Sequence, residues 1–283
     1  MVTKRPNTAP TCGFIHTLIM IASCCCLAAT LLAVGFAACM QPVATDLFAK
    51  AFASNASSPY LDEDLQALAR ETRDYTVSDH GRSQGGSEAA RQRIALATVL
   101  AAQHSVDEDS PKRALWPDTA IDLLRQPMAR EDPVATTQAL SRISCRLALG
   151  EDELSHLDDC YTLINSAIPV LWCCAGAALA GLAFLVLSGR RRQAGHVLLC
   201  APAVLAAVML ALGAWAALDF NGFFGAFHGL LFPQGNWTFP AQSLLICMLP
   251  LDFWVSMAAL WLAVTLAACI IAMLLGRRLS KAA

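Results

Sequence analysis

Hydrophobic and polar positions are sorted into long blocks along this chain. Four blocks are apolar and free of Asp, Glu, Lys and Arg: Gly13–Ala38, Ile168–Ser188, Val197–Leu218 and Phe253–Leu275. About 20 apolar residues cross a bilayer core as a helix, and each block reaches that length. In hydrocarbon only a helix lets such a segment satisfy its own backbone groups, so the pattern predicts four transmembrane helices. The blocks divide the chain into an N-terminus (1–12), spans at 13–38, 168–188, 197–218 and 253–275, a long segment (39–167), a short loop (189–196), an aromatic segment (219–252) and a C-terminus (276–283).

The segment 39–167 predicts helices and no strand-rich region. Leu61–Tyr75 has apolar residues at helical spacing, with Asp62, Glu63 and Asp64 in its first turn. The Gly- and Ser-rich stretch Ser78–Ser87, which contains His80, reads as a break. Glu88–Gln103 is Ala-rich and helical in pattern. Trp116-Pro117-Asp118 and Glu131-Asp132-Pro133 read as helix starts, the second helix running to Leu149 before Gly150.

Basic residues orient the chain. Lys4 and Arg5 precede the first span, Arg190, Arg191 and Arg192 lie between spans two and three, and Arg277, Arg278 and Lys281 follow the fourth. A four-span topology puts all three clusters on one side, and the positive-inside rule makes that side the cytoplasm. Both termini are then cytoplasmic, and 39–167 and 219–252 lie outside. Phe36-Ala37-Ala38-Cys39 is similar to a lipobox, but Phe stands where Leu is usual and the apolar run exceeds a signal-peptide core; Gly13–Ala38 is read as a retained anchor.

Composition agrees with this class and narrows the chemistry. Hydrophobic residues make up 56% and charged residues 15%, well below the quarter or so of a soluble domain. A net charge of −2 offers no basic balance for nucleic acid. Of twelve cysteines, nine lie in or beside the spans, where they act as small hydrophobes. Cys12 sits at the inner edge. Cys145 and Cys160 lie in the outer segment, where pairing is chemically permitted but no spacing supports it. No Cys/His metal pattern appears, so neither a metal nor a soluble cofactor is expected.

Candidate chemistry gathers beside spans two to four. On a helix, Glu153, His156 and Asp159/Cys160 share one face. A carboxylate beside an imidazole fixes its tautomer and raises its basicity. The same residues also fit a solvated acidic helix start with one incidental histidine. In 219–252, His228 is surrounded in sequence by Phe220, Phe223, Phe224, Phe227, Phe232, Trp237 and Phe239, with Gly222, Gly225, Gly229 and Gly235 permitting turns. A histidine in such a setting is either a hydrogen-bonded structural residue or a functional one. Small residues in span two, Gly176/Ala180 and Ala177/Gly181, permit close packing within one molecule or between two.

At these residues the chain resembles the lipoprotein intramolecular transacylase (Lit) family of bacterial integral membrane proteins. Glu153, His156, Leu157 and Asp159 match a motif like E-x-x-H-[LM]-x-D-V, with Cys160 in place of Val. Phe223, Phe224, Phe227, His228, Phe232, Gly235, Trp237, Phe239, Ser243–Ile246, Pro250, Phe253 and Trp254 match a second, more specific motif, and Arg73-Asp74-Tyr75 is similar to a short family element. Gln242, Leu231 and Leu251 depart from the pattern, and an insertion around 78–132 lengthens the first loop. The resemblance implies a divergent relative: an enzyme of the bacterial cell membrane whose substrate is a diacylglyceryl lipoprotein, with membrane lipids around it. It would move an acyl chain onto the α-amino group of the lipoprotein's N-terminal cysteine, giving the lyso form. It also implies His156 and His228 as a proton-transfer pair, Glu153 and Asp159 as groups orienting His156, and Asn221, Asn236 and Trp237 as groups positioning or polarising the ester. A different lipid acyltransferase or esterase, or a non-catalytic scaffold that binds a partner, remains open on the residues alone. Oligomeric state is not encoded in any of these features.

Overall fold

The computed structural model describes residues 10–53, 58–79 and 86–281. Lys4, Arg5, His80 and most of the Gly/Ser stretch lie outside the described residues, as does the side chain of Cys12. The described chain is all α, with no strand among these residues. Its helices are α1 (Pro10–Cys39), α2 (Pro42–Phe52), α3 (Asp62–Asp74), α4 (Gly86–Ser105), α5 (Asp118–Arg125), α6 (Met128–Glu131), α7 (Pro133–Ile143), α8 (Glu151–Leu187), α9 (Arg191–Leu218), α10 (Phe220–Leu231), α11 (Leu244–Met248) and α12 (Leu251–Lys281). Four of them, α1, α8, α9 and α12, are long and apolar enough to cross a membrane. The chain divides into two compact units.

The first unit holds 1–36, 167–220 and 262–283. Its core joins Leu27 and Leu31 of α1, Leu185 of α8, Leu198 and Ala201 of α9 and Ala272 of α12. A Cβ placed on Gly181 would sit 1.9 Å from the Ser23 hydroxyl, so this glycine serves packing within the chain, whereas Gly176 faces open space. The break between α8 and α9 is shorter than the apolar pattern predicts, because α9 starts among the arginines. Gly189, at φ +75°, makes the turn. Its N–H reaches the Val186 carbonyl at 3.1 Å, and the Arg190 N–H reaches Leu185 at 2.8 Å, the paired bonds of a Schellman ending.

The second unit holds 37–166 and 221–261. Leu65, Leu68, Ala69 and Thr72 fall on one face of α3 and are buried, and the acids of its first turn suit the helix dipole. A π-helical turn, Tyr75–Asp79, extends α3 beyond its expected end. Tyr60 lies edge-on to Trp116 at 5.2 Å and donates to the Leu147 carbonyl at 2.5 Å, while Trp116 donates to Pro59 at 2.8 Å. Asp132 caps α7 by accepting from the Ala135 N–H at 3.0 Å. That helix ends at Ile143, six residues before the expected Leu149. Residues 144–150 form a turn whose Cys145 carbonyl accepts from the Leu244 N–H at 2.8 Å, and burial of Leu147–Leu149 replaces helix continuation.

The aromatic segment differs most from expectation. It contains α10 and α11 where a loop was expected, and α10 forms despite glycines that permit turns. Glycine costs about 1 kcal/mol in a water-exposed helix. In apolar surroundings, unpaired backbone costs more, and helix is the cheaper state. No residue of α10 is buried within the protein, which leaves its Phe and Leu side chains to an apolar exterior.

Candidate active site

All candidate residues except one cluster within the second unit, where α8 and the segment 220–239 supply facing groups. His156 projects from the polar head of α8. Its ring centroid stands 6.5 Å from that of His228 on α10, tilted by 31°. Phe232 meets His156 edge-on at 4.7 Å and Phe239 approaches it at 5.6 Å. His228 packs on Phe224 at 3.9 Å, Trp237 at 5.0 Å, Phe227 at 5.3 Å and Phe232 at 5.9 Å. The two imidazoles therefore share an aromatic cage, with Phe232 touching both.

The cage sets the electrostatics. Burial disfavours a charged imidazole, so the His156 pKa lies below its ordinary value; neighbouring His228 lowers it further and Asp159 opposes the shift. Burial also lowers His228, against the pull of its bond to the Phe224 carbonyl. A carbonyl only accepts, so His228 carries its proton on Nδ1, donating to Phe224 at 2.9 Å, and Nε2 keeps its lone pair. On His156, Nε2 lies 3.6 Å from the Cys160 sulfur, while Nδ1 is buried with no hydrogen-bond partner. Two neutral imidazoles, each with a ring nitrogen uncommitted to a polar protein group or held only by a weak sulfur contact, are suited to take and return protons near neutral pH.

Glu153 does not orient His156. It occupies the third position of α8, and its carboxylate reaches back to accept the Gly150 N–H at 2.6 Å. This is the acidic half of a capping box, in which helix-end geometry outranks the three-residue spacing to His156. Burial raises its pKa, relieved by the Gly150 N–H and the Ser243 hydroxyl. Asp159 likewise binds elsewhere, accepting from Gln234 and, at 3.0 Å, from Asn236. Its influence on His156 is through charge. Asn236 also donates to Ser155 at 3.1 Å, so both its amide hydrogens are used and only its carbonyl remains for a ligand. Trp237 packs on His228. Asn221 lies exposed in the first turn of α10, about two turns before His228.

The structure adds residues that spacing did not reveal. Gln234 is one; its only sequence signal is its place beside Gly235, whose φ of +82° makes the turn between Gln234 and Asn236. Tyr75 is another. Its hydroxyl donates to Asp158 at 2.5 Å, and Arg91 donates to Asp158 at 2.8 Å and to Glu151 at 3.1 Å. These bonds anchor the head of α8 to α3 and α4. Cys145 and Cys160 are free thiols. Burial first, and Asp159 second, push the Cys160 thiol up to about 12, so it stays protonated and is no nucleophile. No group of three or more His, Cys, Asp or Glu side chains is arranged to hold a metal among the described residues.

A family model described as lipoprotein intramolecular transacylase Lit matches residues 128–254, a stretch that includes both histidines. The chain is also similar to the in meso structure of the membrane integral lipoprotein intramolecular transacylase Lit from Bacillus cereus, with 16% identity, 95% of this chain and 97% of that one covered, and a TM-score of 0.58. A substituted form of that protein matches at 19% identity over 95% and 93% of the two chains, with a TM-score of 0.48. No curated protein matches the chain. The chain thus shares its fold with the first structure along nearly its whole length, and residues 128–254, which carry both histidines, are similar in sequence to the Lit family.

Proposed function

We propose that this protein is a lipoprotein intramolecular transacylase using His156 and His228 for proton transfer. The observation that carries the reading is the pair of partly buried imidazoles 6.5 Å apart in one aromatic cage, whose surroundings lower both pKa values and favour the neutral rings. The substrate is a bacterial lipoprotein whose N-terminal cysteine bears a diacylglyceryl group and a free α-amine. The amine, of ordinary pKa about 8, must lose a proton to attack the glyceryl ester carbonyl. A bond forms between nitrogen and the acyl carbon, the ester C–O bond breaks, and the departing glyceryl oxygen gains a proton. The ammonium proton is lost before attack; the attacking amine then gives up a second proton as it becomes the amide, and the glyceryl oxygen gains one. The transfer therefore balances with two groups that act as base and acid and consumes no cofactor. Amine and ester lie in one molecule, and holding them together supplies much of the rate.

The protonated Cys160 argues against a thioester intermediate, which favours direct transfer. The positive-inside pattern puts both termini in the cytoplasm and the histidine cage at the outer face of the bacterial cell membrane. There, the apolar surface of α10 meets the acyl chains of a lipid-anchored substrate.

The test is mass spectrometry of N-terminal lipopeptides after expression in a bacterium whose lipoproteins keep a free α-amine. An N-acylated lyso form of unchanged total acyl mass, lost in His156→Ala and His228→Ala, is the expected result. Loss of one acyl chain without N-acylation indicates an esterase. No change, from a folded and inserted protein, indicates a scaffold.

A further inference from the structure

Three hydrogen bonds fasten the turn Gln234–Asn236 to α8. Asp159 Oδ2 accepts from the side-chain amides of both Gln234 and Asn236, and Asn236 donates as well to Ser155. Ser155 and Asp159 are four residues apart on α8, so they lie on one face and bracket His156. The turn follows α10, which carries His228, by only Phe232 and Pro233. The strand of chain leaving it carries Trp237 onto His228 at 5.0 Å and Phe239 onto His156 at 5.6 Å. The turn is thus a junction between the two histidine-bearing elements, and Asp159 is the acceptor on which it closes.

We infer that Gln234 and Asp159 form a positioning pair, which holds α10 and its histidine at the separation from His156 that proton transfer needs. This rests on the transacylase reading and assigns Asp159 a role through the turn rather than through the imidazole. Gln234 is exposed, so changing it leaves no cavity, and the pair can be inverted without altering shape. Gln234→Glu sets two carboxylates against each other. Adding Asp159→Asn removes one carboxylate and supplies an amide that donates to the new one, exchanging donor and acceptor across the pair; Asn236, which shared Asp159 Oδ2, then keeps its bond to Ser155.

The full chain, in lipid vesicles, is assayed for N-acylated lipoprotein and for hydrogen–deuterium exchange across 232–239. Gln234→Glu is expected to slow turnover about tenfold or more and to speed exchange in the turn. The double variant is expected to return to within about threefold of wild type and to regain protection. Turnover that stays low in the double variant while protection returns overturns the positioning role. So does a turn that opens in Gln234→Glu without loss of turnover. A wild type that forms no N-acyl product fails the transacylase reading itself, a result visible before any variant is made, and the positioning role falls with it.

Discussion

The Glu153 carboxylate closes on the Gly150 N–H at 2.6 Å, making it a structural cap rather than a partner of His156. Glu153→Ala is therefore expected to destabilise the fold by about 1 kcal/mol while leaving turnover per folded molecule largely intact. Thermal melts paired with activity normalised to folded protein check this. A loss of activity exceeding the loss of fold would return Glu153 to the catalytic group.

Folding raises the Glu153 pKa, so its ionisation works against the native state. Its contribution is fully present below the unfolded carboxyl pKa and is lost as pH rises through the folded value. Glutamine keeps the capping bond and cannot ionise. The stability of Glu153→Gln relative to wild type should therefore grow as melts move from acidic to neutral pH; a constant difference would contradict the raised pKa.

For the histidines the sign is opposite. Folding lowers both pKa values, so each ring stays neutral further into acid than free imidazole. The acidic limb of the turnover–pH profile should fall below the ordinary histidine pKa of about 6.5. A limb above that value would mean that the active rings are charged or exposed.

Cys160 offers a sharp negative. With its thiol held up to about 12, Cys160→Ala should leave turnover within about threefold, and thiol alkylation at pH 8 should be slow. Abolished activity would imply a covalent cysteine intermediate.

Gly235 tests the turn from its backbone. At φ +82° an L-residue is strained, although open space surrounds the Cβ position. Gly235→Ala is expected to cost about 1–2 kcal/mol, read as a lower melting temperature. An unchanged melt would show that the turn relaxes freely.

The four apolar helices were legible because lipid imposes one rule of length and charge, and no tertiary contact competes with it. Their ends were less so. The polar head Glu151–Ala167 continues α8 without a break, and charge content alone reads such a head as a separate segment. Glycines hid α10, since propensities measured in water do not hold where backbone must pair internally. His156 and His228 stood out by family resemblance, but the same pattern misassigned Glu153, because residues three apart also define a capping box. Gln234 and Tyr75 act across long chain separations, on Asp159 and Asp158, and local spacing carries no signal for such bonds.

The Nδ1–H of His228 is anchored to the Phe224 carbonyl, which makes the ring a dead end rather than a wire. A proton arriving at Nε2 cannot exit from the opposite side without breaking that anchor, so it must depart through the same doorway. In the proposed transfer, either the leaving oxygen swings into the place the amine vacated, or the proton crosses to the neighbouring imidazole before release. The second route makes the order of the two rings directional, and a bowed proton inventory of wild-type turnover in H2O/D2O mixtures, reporting two protons in flight, would identify it; a linear one would favour the first route.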